Sequence, residues 1–185
     1  VFAGDRAGGS SYPKVLGSLD QGFALPLKHS SVWLRGAGGL CPGCDPDEPF
    51  ANFFFGGFGN NYVDHRTEKR YRESYSFPGV DLNAIGGTNF ARAQLEWNLP
   101  PLRFQRLGKP SFYATWLRTA LFATGIVTNM ESSTDRREVV DVGGQMDLQL
   151  VLMSPLRMMG SLGYGGAFEG DQRRTDEFML SLKVL

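Results

Sequence analysis

The sequence contains no run of about 18 consecutive apolar residues, which excludes a transmembrane helix. It also lacks an excess of either charge, with 19 Lys plus Arg balanced by 19 Asp plus Glu. A neutral balance leaves no basic surplus for nucleic acid and no acidic tail. Histidine is scarce, and His29 and His65 are remote and unpatterned, so they suggest no zinc or catalytic centre. No Ser-His-Asp set or carboxylate pair stands out. Asp141 and Asp147 share a strand face six residues apart, which is roughly 20 Å at strand rise and too far for a catalytic dyad. The chain opens on Val1 without a charged-then-apolar export segment. The expectation is a start within a longer precursor.

A missing helix does not exclude a membrane, because a closed barrel satisfies its backbone hydrogen bonds between strands. What the chain has in abundance is glycine, at 24 residues, and aromatics, at 12%. Both favour closely packed β-structure. Period-two alternation is the main signal. From Val139 to Met153, one face carries Val140, Val142, Met146, Leu148, Leu150 and Leu152, against Asp141, Gly143, Gln145, Asp147 and Gln149. From Phe90 to Leu99, Leu95 and Trp97 oppose Arg92, Gln94 and Glu96. Leu156–Phe168, Phe178–Val184 and Val15–Leu25 alternate in the same way. Three less regular strands are expected at Ser31–Gly38, Asn52–Phe58 and Ser111–Val127, with a bulge restoring the pattern around Arg118. The total is eight strands in one domain, 1–185.

Connections alternate in length. Pro100-Pro101-Leu102-Arg103 and Ser154-Pro155-Leu156-Arg157 read as short turns, whereas Asn129–Glu138 and Glu169–Asp176 are polar. The longest connection, 59–88, carries mixed charges from Asp64 to Glu73. Short turns on one side and long loops on the other are the habit of bacterial outer-membrane barrels. A soluble barrel or sandwich would alternate too, with its apolar face inside. Three features favour the membrane: charges at mid-strand (Arg92, Glu96, Asp147, Lys183), aromatics near strand ends, and segments of about ten residues or more.

From Pro49 onward the order of motifs resembles the C-terminal barrel of the bacterial surface-antigen superfamily, which includes barrel-assembly insertases and two-partner-secretion translocases. Phe53-Phe54-Phe55-Gly56-Gly57-Phe58 is similar to the family's Phe-x-Gly-Gly strand, which enters a loop folded back into the lumen. Gly86-Gly87, the lumenal Glu96, the Pro100-Pro101 turn, Ser154-Pro155-Leu156 and Gly163-Tyr164-Gly165 follow in the family's order. The resemblance implies the C-terminal half of an antiparallel transmembrane β-barrel of about sixteen strands. The family's Val-Arg-Gly-Phe/Tyr element is replaced by Gly59-Asn60-Asn61-Tyr62-Val63. Its Phe-x-Asp-x-Gly element is replaced by Leu121-Phe122-Ala123-Thr124-Gly125, with Ala123 in the place expected of the acid. Arg66, Arg70 and Arg72 are the candidates to meet Glu96 in place of the lost arginine. Leu185 stands where such chains usually end on an aromatic residue.

Cys41-Pro42-Gly43-Cys44 is the one compact constellation. Its turn-like, acidic surroundings favour a structural disulfide over half a metal site or a redox centre. A calcium site on Asp45, Asp47 and Glu48 is weaker than a solvated turn. The sequence therefore points to no catalytic set, cofactor or metal. It points to an outer-membrane barrel serving as a pathway or as an assembly or translocation barrel, or else to a structural anchor. The implied partners are outer-membrane lipid, a further barrel half or partner chain, and a periplasmic domain or complex.

Overall fold

The computed structural model describes residues 6–7, 10–58, 70–153, 155–170 and 172–185, with backbone alone at 6–7, 10–11, 70, 106 and 172–174. In chain order the strands are β1 (Arg6–Ala7), β2 (Ser10–Ser11), β3 (Val15–Ala24), β4 (Ser31–Leu40), β5 (Phe53–Phe55), β6 (Ile85–Gly87), β7 (Asn89–Asn98), β8 (Leu102–Lys109), β9 (Phe112–Thr128), β10 (Arg137–Leu152), β11 (Leu156–Glu169) and β12 (Gln172–Val184). The only helical elements among the described residues are single 3-10 turns at Pro49–Ala51 and Arg70–Arg72. The protein is all-β.

One antiparallel sheet of eight strands dominates, in the order β12-β11-β10-β9-β7-β4-β3, with β8 also on β9. The sheet is open: β3 and β12 do not pair. The main sheet has the eight strands expected of the whole chain, but the described residues hold twelve strands in all, and the membership of the sheet differs. Asn52–Phe58 is not a strand of this sheet. Only Phe53–Phe55 is extended, and it pairs with Ile85–Gly87 in a separate ribbon. Gly56 and Gly57 turn the chain off with φ of 154° and 69°. A Cβ at Gly56 would sit 2.0 Å from the Asp81 carbonyl oxygen, so only glycine fits.

The strand missing from the sequence reading is β8. Pro100-Pro101 is not a reversal. The chain runs on from β7 into β8 along the same edge of β9: Asn98 faces Ala120, Leu102 faces Leu117 and Lys109 faces Phe112. The two prolines sit in a ladder interruption, where their missing N–H costs little. The reversal comes at Pro110-Ser111. Because β7 and β8 share one lane, the eight strands occupy seven lanes. A second correction concerns Glu169–Asp176, expected as a polar loop. It is a tight turn around Gly170 (φ 60°), and β12 runs from Gln172. The expected bulge near Arg118 is present. Trp116 faces Gln149 and Ala114 faces Leu150, leaving Thr115 as the extra residue. It turns Phe112 to the opposite face from Trp116 and Arg118.

One end of the sheet holds the connections 25–30, 110–111 and 153–155, together with the C-terminus. The other holds 41–88, 129–136 and 170–171. The described parts of the long connection do not project away. They fold over one face of the sheet and bury two apolar clusters there: Phe53, Phe55, Phe77, Val80 and Ile85 against Phe90, Ile126, Val139 and Ala167, and Phe58 with Tyr71 against Ala120, Phe122 and Met179.

The burial pattern is inverted relative to a water-soluble sheet. On the loop-covered face Arg92, Gln94, Glu96, Thr124, Thr128, Asp141, Gln145 and Asp147 are buried. On the bare face Leu19 (75% exposed), Leu34, Leu95, Trp97, Leu121, Val140, Val142, Met146, Leu162, Phe178 (67%), Leu180 (72%) and Leu182 are exposed. Leu148 and Leu150, on the same row, are half-buried. A contiguous apolar face this wide is unusual on a monomeric soluble domain.

Candidate functional site: a polar wall clamping an inserted loop

The pleat of β7 turns Arg92, Gln94 and Glu96 to the covered face, while Ala91, Ala93, Leu95 and Trp97 point the other way. Register then aligns their neighbours. Arg35 on β4 lies opposite Gln94, which lies opposite Thr124 on β9, which lies opposite Asp141 on β10. Phe122 sits between Glu96 and Gly143 in the adjacent row.

Glu96 is fully buried and is the hub. Arg72, reaching down from the long connection, grips it with both arms of the guanidinium: Nε donates to Oε2 at 2.8 Å, and Nη2 donates to Oε1. Asn98 Nδ2 donates to Oε1 at 2.6 Å, and Arg35 Nη2 lies 3.4 Å from Oε2. Arg35 also pairs with Asp20 on β3 at 2.8 Å. Charges thus alternate from Asp20 through Arg35 and Glu96 to Arg72, linking the edge strand to the loop. A bidentate guanidinium–carboxylate pair supplies geometric specificity that lysine would not.

Next to Arg72, the Tyr71 ring stacks on Phe122 with centroids 4.3 Å apart. Burial pushes its phenol far above the usual tyrosine range. The Tyr71 carbonyl accepts from Arg92 Nη2 at 3.3 Å and Gln94 Nε2 at 3.1 Å, and Gln94 Nε2 also reaches Thr124 Oγ1 at 3.1 Å. Arg92 Nη1 donates to the Glu73 carbonyl at 3.4 Å.

The opposite flank holds the same connection. Glu177 on β12 accepts from the Phe58 N–H (3.2 Å) and the Gly79 N–H (3.3 Å). Thr175 Oγ1 donates to the Gly79 carbonyl. Between the flanks, glycines on β11 form a cradle. A Cβ at Gly165 would lie 2.6 Å from Pro78 Cβ, and one at Gly163 would lie 2.8 Å from the Phe58 ring. Gly165→Val is therefore expected to lift the Pro78–Gly79 turn off the sheet, at a cost of about 1–3 kcal/mol. Limited proteolysis should then cut the long connection faster than in the parent chain, with the strands left intact.

Of the residues singled out in the sequence, Arg72, Arg92 and Glu96 meet in this cluster. Arg66 lies outside the described residues, and Arg70 is described by its backbone alone. Ala123 is a correction: it pairs with Leu95 and belongs to the opposite face. The covered position two residues after Phe122 is Thr124, so Ala123 never stood where an acid could meet a loop arginine. Sequence reasoning missed Arg35, Tyr71, Gln94, Asn98 and Glu177. Arg35 and Asn98 do lie in period-two positions, but their convergence on Glu96 depends on pairing register.

Cys41 and Cys44 are joined, with Cα atoms 5.6 Å apart, at the long-loop end of β4. With Asp47, Asn52, Asn129, Glu131 and Asp135 they line an open cavity of about 720 Å³. Among the described residues no group of three or more His, Cys, Asp or Glu is placed to hold a metal. At the short-turn end His29, Arg72, Arg103, Trp116, Arg118 and Asp147 line a second cavity of about 510 Å³. There the Arg118 guanidinium lies over the Trp116 ring at 4.4 Å.

Compared with known proteins, the chain matches no family model, no curated protein and no solved structure, so none of these comparisons supports the surface-antigen resemblance.

Proposed function

We propose that this chain forms part of a transmembrane β-barrel of the bacterial outer membrane, its bare apolar face in contact with lipid and its covered face lining a lumen narrowed by the described parts of the 41–88 connection. The inverted burial carries this reading. Water would reward the opposite arrangement, because charged groups are rarely buried while large apolar faces stand in solvent. Hydrocarbon reverses the preference, and the alternation of apolar-out with polar-in is what a membrane barrel needs. Exposed Phe112 at the short-turn end and Phe168 toward the other suit two interfacial girdles.

The barrel serves as a gated pathway of a larger envelope protein, with architecture similar to surface-antigen translocation and assembly barrels. A second reading, a membrane anchor without transport, draws on the loop itself, whose described residues are bonded to both flanks of the wall. Reconstitution into lipid vesicles and planar bilayers tests both. The chain is expected to remain with the lipid after an alkaline carbonate wash. The parent chain should conduct little, and variants that release Arg72 or the Pro78–Gly79 turn should conduct more. Recovery in the aqueous phase would overturn the membrane reading. Closed bilayers with every loop variant would leave the anchor.

A further inference from the structure

The edges of the main sheet have a direction, and that direction selects the partner. β3 runs from the long-loop end to the short-turn end, and after seven lanes β12 runs the same way. Both edges are long, 10 and 13 residues, with no proline in either; β3 pairs regularly, and β12 has one bulge near its long-loop end, beyond which Thr175–Val184 is regular. Soluble proteins blunt such edges with proline, bulges or very short strands, because an unpaired ladder recruits other chains. Within hydrocarbon an open edge is costlier still, since no water is there to pair its backbone groups. Closing β3 onto β12 directly would produce a parallel pair in an otherwise antiparallel ring. Only an odd number of added strands restores the alternation, and the total then becomes even, as in bacterial outer-membrane barrels.

A second copy of this chain does not meet that requirement. Two copies with the same orientation place β12 of one beside β3 of the other, again parallel. The antiparallel pairings, β12 with β12 and β3 with β3, need one copy inverted, which puts its long connection on the opposite side of the membrane. Resting on the membrane-barrel reading, we infer that the barrel is completed by an odd number of strands from a different polypeptide segment, antiparallel to both β3 and β12. The partner is thus a β-sheet of alternating apolar and polar residues whose two edge strands run in the same direction as each other. It is not this chain again.

Photo-crosslinking in native envelopes tests the inference. A photoreactive phenylalanine analogue is placed singly at Phe178, Leu180 and Leu182 on β12, and at Leu19 and Phe23 on β3, and the adducts are mapped by mass spectrometry after carbonate washing. Beyond adducts to the neighbouring strands β11 and β4, the expected adducts fall on sequence outside residues 1–185. The partner residue number should rise as the probe moves from Leu182 to Phe178, the signature of antiparallel pairing. Adducts from β12 to residues 15–24, of the same or another copy, would overturn the inference, as would partner numbers that fall over that series. Absence of any polypeptide adduct in washed membranes would overturn it too. Loss of the chain from the membranes would instead remove the reading on which it rests.

Discussion

Arg72→Ala is expected to destabilise the folded chain by about 3 kcal/mol, the low end of the roughly 3–5 kcal/mol seen when one partner of a buried ion pair is deleted. The reason is what remains behind. Glu96 has no exposure, and losing Arg72 removes two of its donors. Arg35 and Asn98 still approach it, which keeps the loss from the upper end of that range. Tyr71 and its carbonyl should then leave Phe122, Arg92 and Gln94, so the connection detaches as a unit. Urea unfolding in lipid or detergent measures the cost. Adding Glu96→Gln should recover part of it, because the stranded charge is gone. Arg72→Lys should fall between, since an ammonium cannot form the paired bonds. A change under about 0.5 kcal/mol for Arg72→Ala would show that the clamp carries no stability.

Leu162→Arg is the second large effect, and it separates membrane from water. Leu162 lies in mid-strand on the bare face, between Met146 on β10 and Leu180 on β12. An arginine facing lipid near the midplane costs about 2–4 kcal/mol. A surface substitution in water usually stays within about 0.5 kcal/mol. Unfolding free energies in vesicles should show the larger loss. A near-neutral result would place this face in solvent and remove the basis of the proposed function.

The all-β class, the alternation and the division into faces were legible because period-two spacing survives wherever a strand is regular. Val140, Val142 and Met146 against Asp141, Gln145 and Asp147 needed no structure to separate. Where a ladder is interrupted, the signal fails. In β8 the register slips between Arg103 and Leu107, so Leu102 and Leu107 stand five residues apart, and two prolines precede them. The stretch then looks like a turn. The opposite error came from Phe53–Phe55, where three apolar residues resemble a core strand until Gly56 and Gly57 bend the chain away. The charges within Glu169–Asp176 suggested a loop because hydropathy does not reveal that Gln172–Asp176 is already paired with β11. The Arg72–Glu96 pair was legible only as one of three candidates, since alternation says nothing about which loop residue comes down onto the wall.

The inserted connection grips β4 and β7 through the Arg72–Glu96–Arg35 chain and β12 through Glu177 and Thr175, so it ties the two flanks of the open sheet together. In the proposed barrel, its span would set how far the outermost lanes stand apart, and hence how wide a gap a completing sheet must fill. Cutting that tie is then expected to widen the seam as well as open the lumen, which makes seam width and loop state one mechanical variable.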